Sequence, residues 1–275
     1  MKVNLFDRQL LELFYKILSV ISVITSIVFI FIDIPIQHKL IIGLVVLVFL
    51  IILYCILWWF SNKKTHINLN IEGSPVEIKF GDIFNEEGLK VIAFNEYFDT
   101  LVDNKIIAEN TLNGFFIKKF IKNIPLFDEQ IYNDLHLQEK VIGTNENRLL
   151  GKKTKYKLGS IFKYQSEYLL TAFSRFDENN RAYLSMQDYI SCLLEFWNEI
   201  DIIYAGRTIV IPLLGSGITR FRGYENVSEQ ELLELLLWTF KVSRIRFRYP
   251  SKVSIVVGYD KRDKVSLFQL ANFDK

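Results

Sequence analysis

Cysteine is nearly missing from this 275-residue chain, which has only Cys55 and Cys192. Cys55 lies in the most apolar segment and Cys192 in an amphipathic run, so no disulfide framework is expected and a reducing compartment is the natural reading. Histidine is almost as scarce. His38, His66 and His136 stand far apart, with no cysteine or carboxylate spacing around them, and no metal site is expected. An excess of one charge sign is absent too. A formal net charge of +2 leaves no electrostatic footprint for nucleic acid as a partner. There is no internal repeat, no low-complexity segment and no phosphate-loop pattern of the Gly-x-x-x-x-Gly-Lys-Ser/Thr type. What the chain has in excess is apolar surface. Half of its residues are hydrophobic, its mean hydropathy is positive, and the surplus is concentrated near the start.

Leu40 to Phe60, LIIGLVVLVFLIILYCILWWF, contains no charge. As a helix it spans roughly 31 Å, about the hydrocarbon core of a bilayer. Trp58 and Trp59 close it, where interfacial aromatics belong, and Asn62, Lys63 and Lys64 follow. The earlier run Ile17 to Ile32 carries Ser19, Ser22, Thr25 and Ser26. It lacks a small-residue cleavage site, and a stronger span follows, so it reads as a first transmembrane helix rather than a signal peptide. Lys16 can snorkel to the interface, and the small hydroxyl residues suit helix–helix contact in lipid. Spans are expected at about 13–32 and 40–60, within an N-terminal segment 1–64. Only DIPIQHK, residues 33–39, separates them, which makes a hairpin. Lys2, Arg8 and Lys16 precede it, Lys63 and Lys64 follow, and Lys39 stands alone between. The positive-inside rule then puts both termini of this multi-pass membrane protein in the cytoplasm, with residues 65–275 as a cytosolic domain.

That domain alternates short apolar strands with helices. Strands are expected at 76–80, 90–94, 167–173, 207–214 and 252–257. Several are apolar at consecutive positions, as in the middle of an α/β sheet. MQDYISCLLEFWNEI (186–200) places Tyr189, Cys192, Leu193, Phe196 and Ile200 on one helical face. SEQELLELLLWTFKVSR (228–244) opens with a capping box, Ser228 and Glu231. The stretches 100–110, 114–124 and 128–140 also read as helical. The basic run GKKTKYKLGSIFKY (151–164) is either a polyphosphate or lipid contact or a solvated edge strand.

IVIPLLGSGITRF, residues 209–221, ends a buried strand in two glycines. A Rossmann fingerprint would need a third glycine where Arg220 stands. Gly215 and Gly217 therefore make either a tight turn or a cradle in which bare backbone amides approach an anion.

Other residues bear on that choice. Gly81-Asp82-Ile83 ends one strand and Asn95 ends the next. TLNGFF (111–116) and LLGSGITRF (213–221) follow in order. The ordered set, over roughly residues 74–262, resembles a macro domain, the ADP-ribose-binding module. The resemblance implies a mixed sheet between helices. It implies that Asp82 accepts from the adenine amino group, that Ile83 adds backbone recognition and that Asn95 binds the distal ribose. The amides around Asn113, Gly114 and Phe115 would hold one side of the diphosphate. Those of Leu214, Gly215, Ser216, Gly217 and Ile218 would hold the other, with Arg220 adding charge or lying free on the surface. Read without the resemblance, Asp82 is a turn or cap residue, Asn95 closes a strand, and Phe115 and Phe116 are core.

The departures carry information. Hydrolytic macro domains show Asn-Ala-Ala-Asn at the strand end and three glycines in the first loop, where this chain has AFNEYF and TLNGFF. That argues for a binding pocket without a catalytic pair. Asp99 and Asp103 are the nearby carboxylates, and they read as helix-surface acids. Two transmembrane helices followed by such a domain resemble the membrane effector of type II Thoeris, a bacterial anti-phage system. The resemblance implies no cofactor but a signal, a histidine–ADP-ribose type ligand, made from NAD by a partner TIR-domain protein without stable contact. It implies self-association on binding and disruption of membrane lipid, so that the infected cell dies or stops growing. The alternatives are a membrane-tethered ADP-ribosylhydrolase and a scaffold for ADP-ribosylated protein.

Overall fold

The computed structural model describes residues 3–32, 35–224 and 226–273. Helices α1 (Arg8–Phe31) and α2 (Ile36–Lys63) come first. At 1.5 Å per residue they measure about 36 and 42 Å. Asp7 caps α1, accepting the amides of Gln9 and Leu10 at 2.9 and 3.2 Å. Pro35 precedes α2, which carries Lys63 in its last turn, where a cation meets the negative end of the helix dipole. Both helices are long and apolar enough to cross a membrane, and none of their apolar windows is buried within the protein. The expected turn at 33–39 includes residues 33 and 34, which lie outside the described residues.

The rest of the chain builds one large sheet. In chain order its elements are β1 (His66–Ile71), β2 (Ser74–Phe80), β3 (Leu89–Asn95), α3 (Leu112–Phe120), α4 (Ile124–Asn133), α5 (Leu135–Gln138), β4 (Val141–Thr144), β5 (Thr154–Tyr156), β6 (Ile161–Tyr164), β7 (Tyr168–Phe176), β8 (Ala182–Ser185), α6 (Met186–Ile203), β9 (Ile209–Pro212), β10 (Arg220–Arg222), α7 (Glu229–Ser243) and β11 (Val253–Val257). The nine-stranded sheet runs β1-β2-β11-β9-β3-β7-β8-β10, with β6 also paired to β7. From β2 to β7 the pairings are parallel. Strands β11 and β9 are almost wholly buried because helices cover both faces, which explains their unbroken apolar runs. On one face α6 and α7 pack through Leu193, Phe196, Trp197, Leu233, Leu236 and Phe240. On the other, α3, α4 and α5 pack through Phe116, Ile117, Phe127, Ile131 and Leu137. The capping box forms as read: Ser228 Oγ accepts the Glu231 amide at 3.2 Å, and Glu231 accepts the Ser228 amide at 2.8 Å.

Three expectations need correction. Residues 100–110 are turns, not a helix. Asp103 Oδ1 accepts the amides of Lys105 and Ile106, both at 2.8 Å, and Asn104, at φ +61°, accepts the Glu109 amide at 2.9 Å. Short polar side chains have captured the amides a helix would have used. Asp99 and Asp103 are consequently not helix-surface acids, and Asp99 is buried. The run 114–124 is broken, since α3 stops at Phe120 and Asn123 caps α4 by accepting the Leu126 amide at 3.1 Å. The basic run is not one solvated strand. It divides between β5, paired to β4, and β6, paired to β7. Lys152, Lys153, Lys155 and Lys157 meet Asp128, Glu146, Glu96 and Glu195 at 2.7, 3.1, 3.9 and 2.7 Å.

Candidate ligand-binding cleft

An open parallel sheet offers its strand ends as a ready-made crevice. Here a cleft of about 500 Å³ lies at the C-terminal ends of β3, β7, β9 and β11, a size suited to a small-molecule ligand. Asn95, Thr111, Leu112, Asn113, Leu214 to Thr219 and Gly258 are among its lining residues.

One wall is the loop after β9. Pro212 ends the strand, and Gly215 turns the chain at φ +86°, a conformation L side chains rarely adopt. A Cβ there would sit 3.1 Å from the Phe221 ring and 3.3 Å from Tyr189. The Ser216 amide turns back to the Leu213 carbonyl at 3.4 Å, and its hydroxyl donates to the same oxygen at 2.7 Å. The amides of Gly215, Gly217 and Ile218 have no partner among the described residues. Gly217 has no positive φ, and a Cβ built on it meets nothing within 4 Å. Nothing inside the chain requires glycine there. From behind, the buried Tyr189 hydroxyl donates toward the carbonyls of Leu214 at 3.1 Å and Leu232 at 3.3 Å.

The facing wall is the start of α3. Thr111 is the N-cap, accepting the Gly114 amide at 3.2 Å, and Asn113 Oδ1 accepts the same amide at 3.0 Å. The Phe115 amide donates to the Thr111 carbonyl at 2.9 Å. Two of the three amides expected to face a diphosphate are thus already engaged. The first amides of a helix lack intrahelical partners, so those of Leu112 and Asn113 are the ones this end offers, together with the positive end of the helix dipole. Gly114 is here for packing: a Cβ would lie 2.3 Å from the Ala108 carbonyl oxygen.

Between the walls, β7 bulges by one residue, Phe173, a common device beside functional sites, and at the end of β3 beside that bulge sits Asn95. Its Oδ1 accepts the amides of Tyr97 and Asp99 at 3.0 and 3.2 Å, and its Nδ2 donates to Asp99 Oδ2 at 2.9 Å. One N–H of that amide remains for a ligand. Asp99 is also filled. Arg148 donates to its two oxygens at 3.1 and 2.6 Å and the Lys152 amide at 2.7 Å, while the Arg148 guanidinium lies 3.9 Å from the Tyr97 ring centre.

The structure brings together Asn95, Asn113, Leu214, Gly215, Ser216, Gly217 and Ile218 on the cleft lining. It places five other expected residues outside that lining. Asp82 is exposed and caps a short 3-10 helix, Ile83–Asn85, its Oδ1 accepting the Phe84 amide at 3.0 Å. Ile83 is buried against Val210 and Val256. Gly114 is buried, and the half-exposed Phe115 ring packs 5.0 Å from Phe84. Arg220 lies on β10 and lines a neighbouring cleft of about 520 Å³ with Arg181 and Arg222. Sequence reading missed Ser174, Thr219, Gly258, Asp260 and Lys261 on the lining. Gly258 ends the buried run of β11, and that position was the signal available.

A mixed sheet, parallel through its centre with antiparallel pairs on either side, set between helical layers and opening on a strand-end cleft walled by a glycine loop and a helix N-terminus, is a macro-like fold. The family described as "Thoeris protein ThsA, Macro domain" matches residues 76–258. The chain is 42% identical over 280 residues to Thoeris protein ThsA of Bacillus amyloliquefaciens (strain Y2), covering 98% of this chain and 90% of that one. The chain belongs to the Thoeris ThsA family, and so to anti-phage defence with a ligand-binding macro domain. Among solved structures, a variant of the Oceanobacillus iheyensis macrodomain with ADPR is 14% identical with a TM-score of 0.48, covering 74% of this chain and 95% of that one. The same macrodomain with MES bound is also 14% identical, with a TM-score of 0.47, covering 74% and 94%.

Proposed function

We propose that this chain is a membrane-anchored effector whose cleft binds an ADP-ribose derivative of the histidine–ADP-ribose type. Binding drives self-association, and the assembled hairpins disrupt the membrane. A TIR-domain protein makes the signal from NAD and need not touch the effector. Both termini and the macro domain face the cytoplasm, as the flanking lysines and arginines favour. For the ligand to drive assembly it must bind the assembled state better than the resting one.

The observation that carries this reading is the set of three unpartnered amides at Gly215, Gly217 and Ile218 opposite the start of α3. Amides of this kind suit a diphosphate, whose charge they meet without a lysine clamp. Sensing is favoured over hydrolysis by the state of Asn95 and Asp99. Asp99, the carboxylate beside Asn95, is taken up by the Asn95 side chain, by Arg148 and by the Lys152 amide, so it does not stand ready as a general base, and the Asn95 amide cannot be one.

The test is calorimetric titration of the full chain in lipid nanodiscs with ADP-ribose and then with a histidine–ADP-ribose conjugate. Mass spectrometry of the recovered ligand follows. The expected result is tighter binding of the conjugate, returned intact. Breakdown of the ligand would establish the hydrolase instead. No binding of either by folded protein would overturn the reading.

A further inference from the structure

The hairpin is hardly buried in the domain it anchors. Leu10 is the one buried residue of α1 and Ser61 the one buried residue of α2. Yet the short stretch before α1 is tied down at both ends. Tyr54, Trp58 and Asn62 recur every fourth residue along α2 and so share one face. All three bond the backbone of residues 3–5. The Tyr54 hydroxyl donates to the Leu5 carbonyl, Trp58 Nε1 donates to the Val3 carbonyl at 2.8 Å, and Asn62 Oδ1 accepts the Val3 amide at 2.8 Å. Val3 is buried there. A few residues on, Gln9 Nε2 donates to the Gln269 carbonyl at 3.0 Å, and Gln269 Nε2 donates to Asp7 Oδ2 at 3.2 Å.

Gln269 belongs to the segment that follows β11. This segment lines the cleft with Gly258, Asp260 and Lys261. It is strapped to the start of α7 by Lys264, which meets Glu229 at 2.9 Å, and by the Ser266 amide, which donates to Gln230 Oε1 at 2.9 Å. It then reaches α1. A bare anchor would need only the covalent link from α2 into β1. The second tie fixes the pose of α1 on a segment that begins at the ligand cleft.

The seam is not packed like a core. A cavity of about 220 Å³ separates Ser61, Asn62 and Lys64 from Arg262, Val265 and Ser266. Gln9 Oε1 and Ser266 Oγ are buried without a partner among the described residues. Hydrogen bonds hold it beside the buried Val3 and Leu10, and unpaired buried oxygens favour opening.

We propose that residues 3–10 are a clasp that holds the hairpin in its resting pose against segment 258–272, and that opening this clasp frees the hairpin to act on the membrane. The second half rests on the effector reading given above; the first does not.

The test uses full-length protein in lipid nanodiscs and in dye-loaded vesicles, with Trp58→Phe and Gln269→Ala as variants and Trp59→Phe as control. Trp58→Phe leaves a smaller aromatic ring in place and removes one donor, and Trp59→Phe makes the same change of size at a ring that packs on Phe60 and Lys63 instead. Hydrogen–deuterium exchange of residues 3–10 should be slow in the wild type and at least tenfold faster in both clasp variants. Dye release without ligand should rise at least tenfold with it, and the control should match the wild type. Free exchange of residues 3–10 in the wild type, or unchanged exchange in the variants, overturns the clasp. Faster exchange without dye release overturns its restraining role, provided that wild-type vesicles leak with the histidine–ADP-ribose conjugate. If the wild type binds the conjugate and never leaks, the membrane reading fails, and exchange alone decides the clasp. Calorimetry on the variants should give a Kd no weaker than that of the wild type, because a ligand that favours the active state binds a released hairpin at least as well, and this separates a released clasp from a damaged cleft.

Discussion

The two walls of the cleft both carry a glycine, Gly114 in the first turn of α3 and Gly217 in the loop after β9, and the two are there for unrelated reasons. Gly114 is demanded by the protein, because α3 rests on the Ala108 carbonyl and no side chain fits between. Gly217 is demanded by nothing in the protein, since its φ is ordinary and its Cβ direction is open. The amides differ in the same way. Those of Gly114 and Phe115 are consumed by the cap and the first turn of α3, whereas Gly215, Gly217 and Ile218 keep theirs. A glycine in a loop is therefore a weak signal until its surroundings are known. Gly217 stands out because it lines the cleft and nothing among the described residues explains it.

Three substitutions sharpen or break this contrast. Gly217→Glu should have the largest effect. It places a carboxylate in the proposed anion site, and affinity for the conjugate should fall about 100-fold or more, a cost of about 2.7 kcal/mol. The melting temperature should stay within about 2 °C of wild type, because the new side chain meets open space. Binding preserved in calorimetry would remove the diphosphate from this loop. Gly114→Ala should show the reverse pattern. Its Cβ must push α3 off Ala108, so stability should drop by about 1–3 kcal/mol in chemical denaturation, and any loss of affinity should follow from that. An Ala variant as stable as wild type would mean that α3 shifts freely. Tyr189→Phe should have the smallest effect. It removes the hydroxyl behind the Leu214 carbonyl and should cost about 1 kcal/mol, with a modest loss of affinity, as the glycine loop is supported from that side.

Much of this architecture is legible in the sequence, and the places where it is not share a cause. The apolar runs of β3, β9 and β11, the amphipathic face of α6 and the capping box of α7 are local signals, and each forms close to where it was read. Residues 100–110 were illegible because Asp103 and Asn104 compete with the backbone for the same amides, a contest that periodicity does not register. Asp99 read as an ordinary acid because its partner, Arg148, lies 49 residues away. Trp58 read as an interfacial aromatic. Its bond to the Val3 carbonyl could not be seen until the chain before α1 folded back along α2.

By itself the sequence determined two apolar helices and a buried sheet between helical layers, because hydrophobic burial and capping act over a few residues at a time, while the ordered loops of a macro domain were legible only through resemblance to that family. Only the tertiary structure decided which glycine was free and which amides remained unpaired. It alone decided that the end of the chain would join the cleft to the hairpin. Those outcomes depend on which distant groups the fold brings to each donor and acceptor, and spacing along the chain does not encode that.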